Sequence, residues 1–216
     1  MSRNPVRLWC LIGLVLATTD ACSTLLPTPT QTPLQHTLDG AETPTKFSAS
    51  VTSAGNPLPP ESPTLLVNPS RAAAGFDSKR MIYQRSTHQL EYFAHHEWID
   101  TPTRMLTPLI VSALEHTRSF HAVISGPSSV SSDLALDTEV IRIQQYFDIH
   151  PSNVRFTLHA YIVNETTHRV VKSRLFDVVV DSPTENPDGG VIAANQAVQM
   201  VIGQLANFCS ESAKER

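Results

Sequence analysis

The sequence predicts an α+β domain of two layers, a mainly antiparallel sheet packed with two amphipathic helices. Two patterns carry this reading. Apolar and polar residues alternate over Leu134–Val140 and Val154–Ile162, the period of strands buried on one face. Apolar residues recur three and four apart over Met105–Leu114 and Val191–Phe208, the stripe of helices that pack on one side.

The elements follow in chain order. Gln35–Leu38 reads as a short edge strand, with an ordered stretch at 35–39 set apart from the rest by a loop. Thr64–Asn68 is a short apolar run closed by Pro69, so a buried strand. Met81–Arg85 and Leu90–Ala94 flank Ser86-Thr87-His88 and form a hairpin. Thr101 is the expected N-cap and Pro102 the first helical residue. Met105, Leu106, Leu109, Ile110, Ala113 and Leu114 form that helix's apolar stripe. Pro108 removes a hydrogen bond and crowds the Arg104 carbonyl, so a kink is expected there, or a helix that begins at Thr107. The alternation from Leu134 changes phase at Ile141 and Ile143, which predicts a bulge. Val154–Ile162 turns through Asn164–His168 and returns as Val170–Val180. Val191–Phe208 is the second helix, Gly189-Gly190 the loop before it, and 210–216 a tail. The globular domain is expected at 64–209.

Residues 1–21 have the three parts of a signal peptide. Arg3 and Arg7 precede an apolar run, Leu8–Ala17, too short for the about 20 residues of a membrane span. Ala21-Cys22 resembles the lipobox of bacterial lipoproteins, with Thr19 where that motif usually has Leu. There the Cys thiol receives acyl chains of the palmitate kind and becomes the N-terminus. Cysteine usage favours lipidation of Cys22. Cys10 leaves with the signal peptide, and Cys22 and Cys209 remain in an oxidising compartment where thiols normally pair. An acylated Cys22 needs no partner; ordinary signal cleavage and a Cys22–Cys209 disulfide is the alternative. Ser23 after the Cys leans toward the outer membrane.

Residues 22–63 read as a tether. Eight prolines fall between Ser23 and Pro63 amid Thr and Ser, a composition unable to bury enough apolar surface to order itself. As polyproline II, ten such residues reach on the order of 30 Å. The formal net charge of −4 excludes the basic face that nucleic acid requires. It also excludes broad electrostatic adhesion to anionic lipid, so membrane attachment rests on the acyl chains.

The nine histidines invite a metal reading, which spacing opposes. His95-His96-Glu97 begins like a zinc-protease helix, but Trp98 and Ile99 are followed by Asp100, where HExxH needs its second His. His95 and His96, adjacent on a strand, point to opposite faces. His159 and His168 flank a hairpin and can face each other, but solvated histidines are the commoner case. Cys209 lacks a CxxC partner. Ser125-Gly126-Pro127-Ser128 lacks the nucleophile-elbow spacing, and no phosphate loop occurs. No catalytic residue, metal ligand or cofactor is expected, and no enzyme. Tyr83, Tyr92, Phe93 and Trp98 form an aromatic group. Core packing is its ordinary role, and Tyr92, Phe93 and Trp98 are the candidates for a partner interface.

Gly75–Tyr83 (GFDSKRMIY), Tyr92-Phe93-Ala94, Trp98–Pro102 (WIDTP), Met105-Leu106 and Ala193–Ala197 (AANQA) occur in an order and spacing that resembles the ABC-type transport auxiliary lipoproteins, from about Gln35 to Cys209. The resemblance implies a non-catalytic outer-membrane lipoprotein facing the periplasm. Its partner would be the MCE-domain protein of a paraquat-inducible type system that moves lipids or other hydrophobic compounds between membranes, with ATP hydrolysis on a separate subunit. A periplasmic hydrolase and a structural envelope lipoprotein without transport role are the competing classes. The absent nucleophile–base spacing weakens the first of these.

Overall fold

A computed structural model describes residues 32–39 and 62–214. The expected signal peptide, Cys22 and most of the expected tether lie outside the described residues. The described part, from Pro33 onward, forms one compact unit. Its nine strands are β1 (Leu34–His36), β2 (Thr64–Val67), β3 (Arg71–Ala72), β4 (Arg80–Ser86), β5 (Gln89–Trp98), β6 (Ala122–Ser125), β7 (Leu134–Tyr146), β8 (Asn153–Asn164) and β9 (Arg169–Asp181). Its helices are α1 (Pro102–Thr117) and α2 (Pro187–Lys214). The domain is α+β, as the patterning requires.

Strand β7 is the hub of the sheet. Along one edge it pairs antiparallel with the whole of β8, and β8 in turn with β9. Three parallel strands pair with β7 in succession: β2 at Leu134–Leu136, β3 at Glu139–Val140 and β4 at Gln145–Tyr146. The long ladders are antiparallel; the short parallel pairings, including β2 with β6, come from strands too brief for alternation to reveal. The expected bulge is present, as a register shift between Val140 and Arg142. The hairpin β4–β5 turns at Thr87-His88, where His88 takes a φ of 67°.

One face of the sheet carries the core. Val154, Phe156, Leu158, Ala160 and Ile162 of β8 are all buried. So are Leu106, Ile110 and Leu114 of α1 and Ala194, Val198, Val201 and Leu205 of α2, which cover that face. The opposite face of β8 and β9 is more open to solvent, with Thr157 buried upon it. There Arg155 Nε donates to Asp177 Oδ1 at 2.8 Å, and Thr157 Oγ1 donates to the same atom at 2.7 Å.

The helix ends differ from expectation in instructive ways. Helix α1 starts at Pro102 and runs through Pro108, so it does not begin at Thr107. Pro108 is tolerated because its ring sits on the exposed side and the loss is confined to the one hydrogen bond it would have donated. Helix α2 begins four residues before Val191. Asn186 caps it, accepting the Gly189 N–H at 2.8 Å, and Pro187 occupies the first helical position. Gly189 and Gly190 therefore lie in the first turn rather than a loop. The helix also continues through Lys214, taking in most of the expected tail, with Ser212 still buried.

Candidate functional site

The motif residues converge where β1 docks. This strand pairs in parallel with the end of β5, Leu34 opposite His96 and His36 opposite Trp98. The short edge strand expected here is therefore joined to the domain through β5. Ile99 N–H donates to the His36 carbonyl at 2.8 Å. Leu38 is buried in the core. On α2, Asn195 Nδ2 donates to the Thr37 carbonyl and Asn195 Oδ1 accepts the Asp39 N–H, each at 3.0 Å. A ladder, a buried leucine and a side-chain clamp thus hold this short edge strand.

His36 and His96 meet within the docked segment. Their rings are 11° from parallel with centroids 5.2 Å apart, and His36 Nε2 lies 2.9 Å from His96 Nδ1, so the two imidazoles meet edge to edge, nitrogen facing nitrogen. Burial and the neighbouring His96 push the His36 pKa below the ordinary imidazole value, while Asp188 pulls the other way. Asp188 stands exposed in the first turn of α2, a position the helix dipole favours for a carboxylate. One ligating atom from each of His36, His96 and Asp188 lies within 4.8 Å of the others. Along the chain, His96 has only His95 and Glu97 beside it as ligating groups. His95 is exposed on the other side of β5, and the groups that approach His96 come from β1 and α2.

The aromatic candidates separate. Trp98 is 4 % exposed and belongs to the core, so it is not available as an interface anchor; the strand continues past Ala94 and carries it inward. Phe93 is half-buried, 4.4 Å from the Tyr83 ring and 6.3 Å from Phe147. Tyr92 is 41 % exposed, with the Arg80 guanidinium over its ring at 4.9 Å. Tyr83 is itself buried and donates its hydroxyl to Glu91 at 2.9 Å. An open cleft of about 300 Å³ lies between Pro33, Arg80, Tyr92, Phe93, His96 and Glu97.

Other expected candidates resolve elsewhere. His159 lies opposite Leu175, not His168, and its Nδ1 is 2.9 Å from the Tyr161 hydroxyl oxygen. His168 sits in the β8–β9 turn with φ 53°. Cys209 has no disulfide partner among the described residues and is fully buried in α2, and burial pushes its pKa up to about 12. Between α1 and α2 runs an open groove of about 710 Å³ lined by Leu109, Ala113, His116, Ile202, Gly203 and Ala206. On β9, Val170, Val171, Leu175 and Val179 are each at least half exposed.

The fold has known relatives. A crystal structure of a Xanthomonas campestris protein of family DUF330 superposes with a TM-score of 0.66 at 25% identity, covering 71% of this chain and 87% of that one. An uncharacterised protein superposes with a TM-score of 0.57 at 16% identity, over 71% and 94% of the two chains, a likeness of fold. No curated protein matches the sequence. The family model of the ABC-type transport auxiliary lipoprotein component matches residues 46–206, which include the β4–β5 hairpin, all of α1, most of α2 and Asn195. The chain belongs to the family of ABC-type transport auxiliary lipoprotein components.

Proposed function

We propose that this protein is the non-catalytic, membrane-anchored accessory of an MCE-type ABC transport system. It is held by lipid on Cys22 at the periplasmic face of the outer membrane and helps pass lipids or other hydrophobic compounds across the periplasm. The observation that carries the reading is the family membership over residues 46–206. The docking of β1 supports it. Residues 32–39 lie within the Pro-rich segment that begins at the proposed lipid anchor, and Leu38 and Asn195 fasten them to the domain. Pull on the tether is thus delivered to the sheet edge and to α2. The partner contact we propose centres on Tyr92, whose exposed ring is held by Arg80, with Phe93 behind it. Trp98 serves the core.

Two measurements test this. Cys22→Ala should move the protein from the membrane fraction to the soluble periplasm; retention in the membrane sinks the anchor. Co-purification from envelope membranes should recover an MCE-domain subunit with the wild-type chain and much less with Tyr92→Ala. A folded, lipidated protein that recovers no such subunit, and whose deletion leaves envelope permeability unchanged, favours a structural envelope lipoprotein.

A further inference from the structure

We propose that His36, His96 and Asp188 form a binding site for a divalent transition-metal ion of the zinc class, which staples β1 to β5 and to α2. The proposal stands on convergence. The three residues come from three separate segments of the chain, yet one ligating atom of each lies within 4.8 Å of the others. Two imidazoles and one carboxylate are a donor set suited to Zn²⁺, and three protein ligands leave a fourth position for water. Mg²⁺ and Ca²⁺, which favour all-oxygen shells, fit this set poorly.

The geometry asks for side-chain rotation and no change of backbone. Tetrahedral Zn–N bonds of about 2.0–2.1 Å place two nitrogens about 3.4 Å apart, against 2.9 Å between His36 Nε2 and His96 Nδ1. The nitrogens face each other edge to edge, so the ion enters when the side chains turn to separate them and to aim both lone pairs at one centre. Asp188 is exposed, so its carboxylate can swing to complete the set. The backbone beneath is already fixed. The β1–β5 ladder sets His36 and His96, and the Asn186 cap sets the turn that bears Asp188. Asn195 lies seven residues beyond Asp188, two helical turns on and on the same side, where it clamps Thr37 and Asp39. The cleft beside His96 opens to solvent and gives the ion a path. Occupancy would close β1 onto the domain within the expected tether. The site does not depend on the transport reading.

Zinc calorimetry on the purified full chain in detergent, stripped of metal, tests the site. We expect one equivalent of Zn²⁺ per chain. Affinity should fall at least tenfold in His96→Ala and in Asp188→Asn and hold in His95→Ala, whose ring is on the same strand and faces away. Asp188→Asn alters an exposed, nearly isosteric group, so it keeps the fold, and circular dichroism of each variant checks this. Amide exchange at Gln35–Leu38 should slow on adding Zn²⁺ to the wild type and not to His96→Ala. Absence of a saturable equivalent, binding as strong in His96→Ala and Asp188→Asn as in the wild type, or a preference for Mg²⁺ or Ca²⁺ over Zn²⁺ overturns the assignment.

Discussion

Asn195 and Asp39 are joined across most of the domain's sequence by a 3.0 Å hydrogen bond from the Asp39 N–H to the Asn195 side-chain oxygen. The same amide donates its nitrogen to the Thr37 carbonyl. One side chain on α2 thus serves a donor and an acceptor of the extended segment, as a neighbouring strand would. A three-residue edge strand has few ladder bonds of its own, and this clamp supplies what the ladder lacks.

Asn195→Ala should therefore loosen β1 before it affects the rest. Removing both bonds costs about 1–2 kcal/mol. Amide exchange at Gln35–Leu38 should quicken while β7 and β8 keep their protection. Unchanged exchange in β1 would show that Leu38 and the ladder suffice.

Two glycines of α2 give opposite predictions. A Cβ on Gly190 would lie 2.2 Å from Gln145 Oε1. Gln145 is buried, and its Nε2 is tied to Ser152, Ser182 and the Asn186 carbonyl. Gly190→Ala should then destabilise by about 2–3 kcal/mol through overpacking. A Cβ on Gly203 meets nothing within 4 Å, so Gly203→Ala should stabilise by about 0.5–1 kcal/mol through helix propensity. Urea unfolding of both variants checks the pair.

The aromatic residues of β5 should separate in the same assay. Trp98→Ala empties a core position and should cost about 3–5 kcal/mol. Tyr92→Ala removes a partly exposed ring that lies under the Arg80 guanidinium and should cost about 0.5–1 kcal/mol. A comparable loss of stability in the two variants would mean that Tyr92 is not free for a partner.

Acid should weaken the solvated face of the sheet. The Arg155 guanidinium, followed by the Thr157 hydroxyl against some desolvation, lowers the Asp177 pKa from 3.8 to about 2. A depressed carboxylate contributes stability that is present above pH 3.8 and is lost as the pH falls toward about 2. The side chains of Arg155 and Asp177 are 41% and 32% exposed, so screening limits the pair to about 1 kcal/mol. Asp177→Asn should lose that amount at pH 6, and its difference from the wild type should vanish near pH 2. A difference that persists at pH 2 would point to packing instead.

Cys209 should be silent in the native state. Its thiol is fully buried and its pKa is pushed up to about 12, so little thiolate exists to react. Iodoacetamide at pH 8 should label it only after denaturation. Rapid native labelling would reveal opening of α2 near its C-terminal end.

The secondary elements that were legible in the sequence share one property: their signal is local. The alternation in β7 and β8, the bulge at Val140–Arg142, the hairpin and the stripes of both helices each repeat within a few residues, because a buried face recurs with the period of its own element. The parallel strands β3 and β6 and the pairing of β1 with β5 left no such mark. Their partners lie far along the chain, and two to four residues are too few to show a period. The same reason hid the site. Nothing near His96 in sequence indicates His36 or Asp188, and nothing near Trp98 indicates that its strand carries it into the core while Tyr92 stays outside. The sequence by itself determined the element types, the α+β class and the family's ordered motifs. Only the tertiary structure decided which side chains meet, because β1 reaches His96 by pairing with β5, and Asp188 reaches both through the packing of α2 on the sheet.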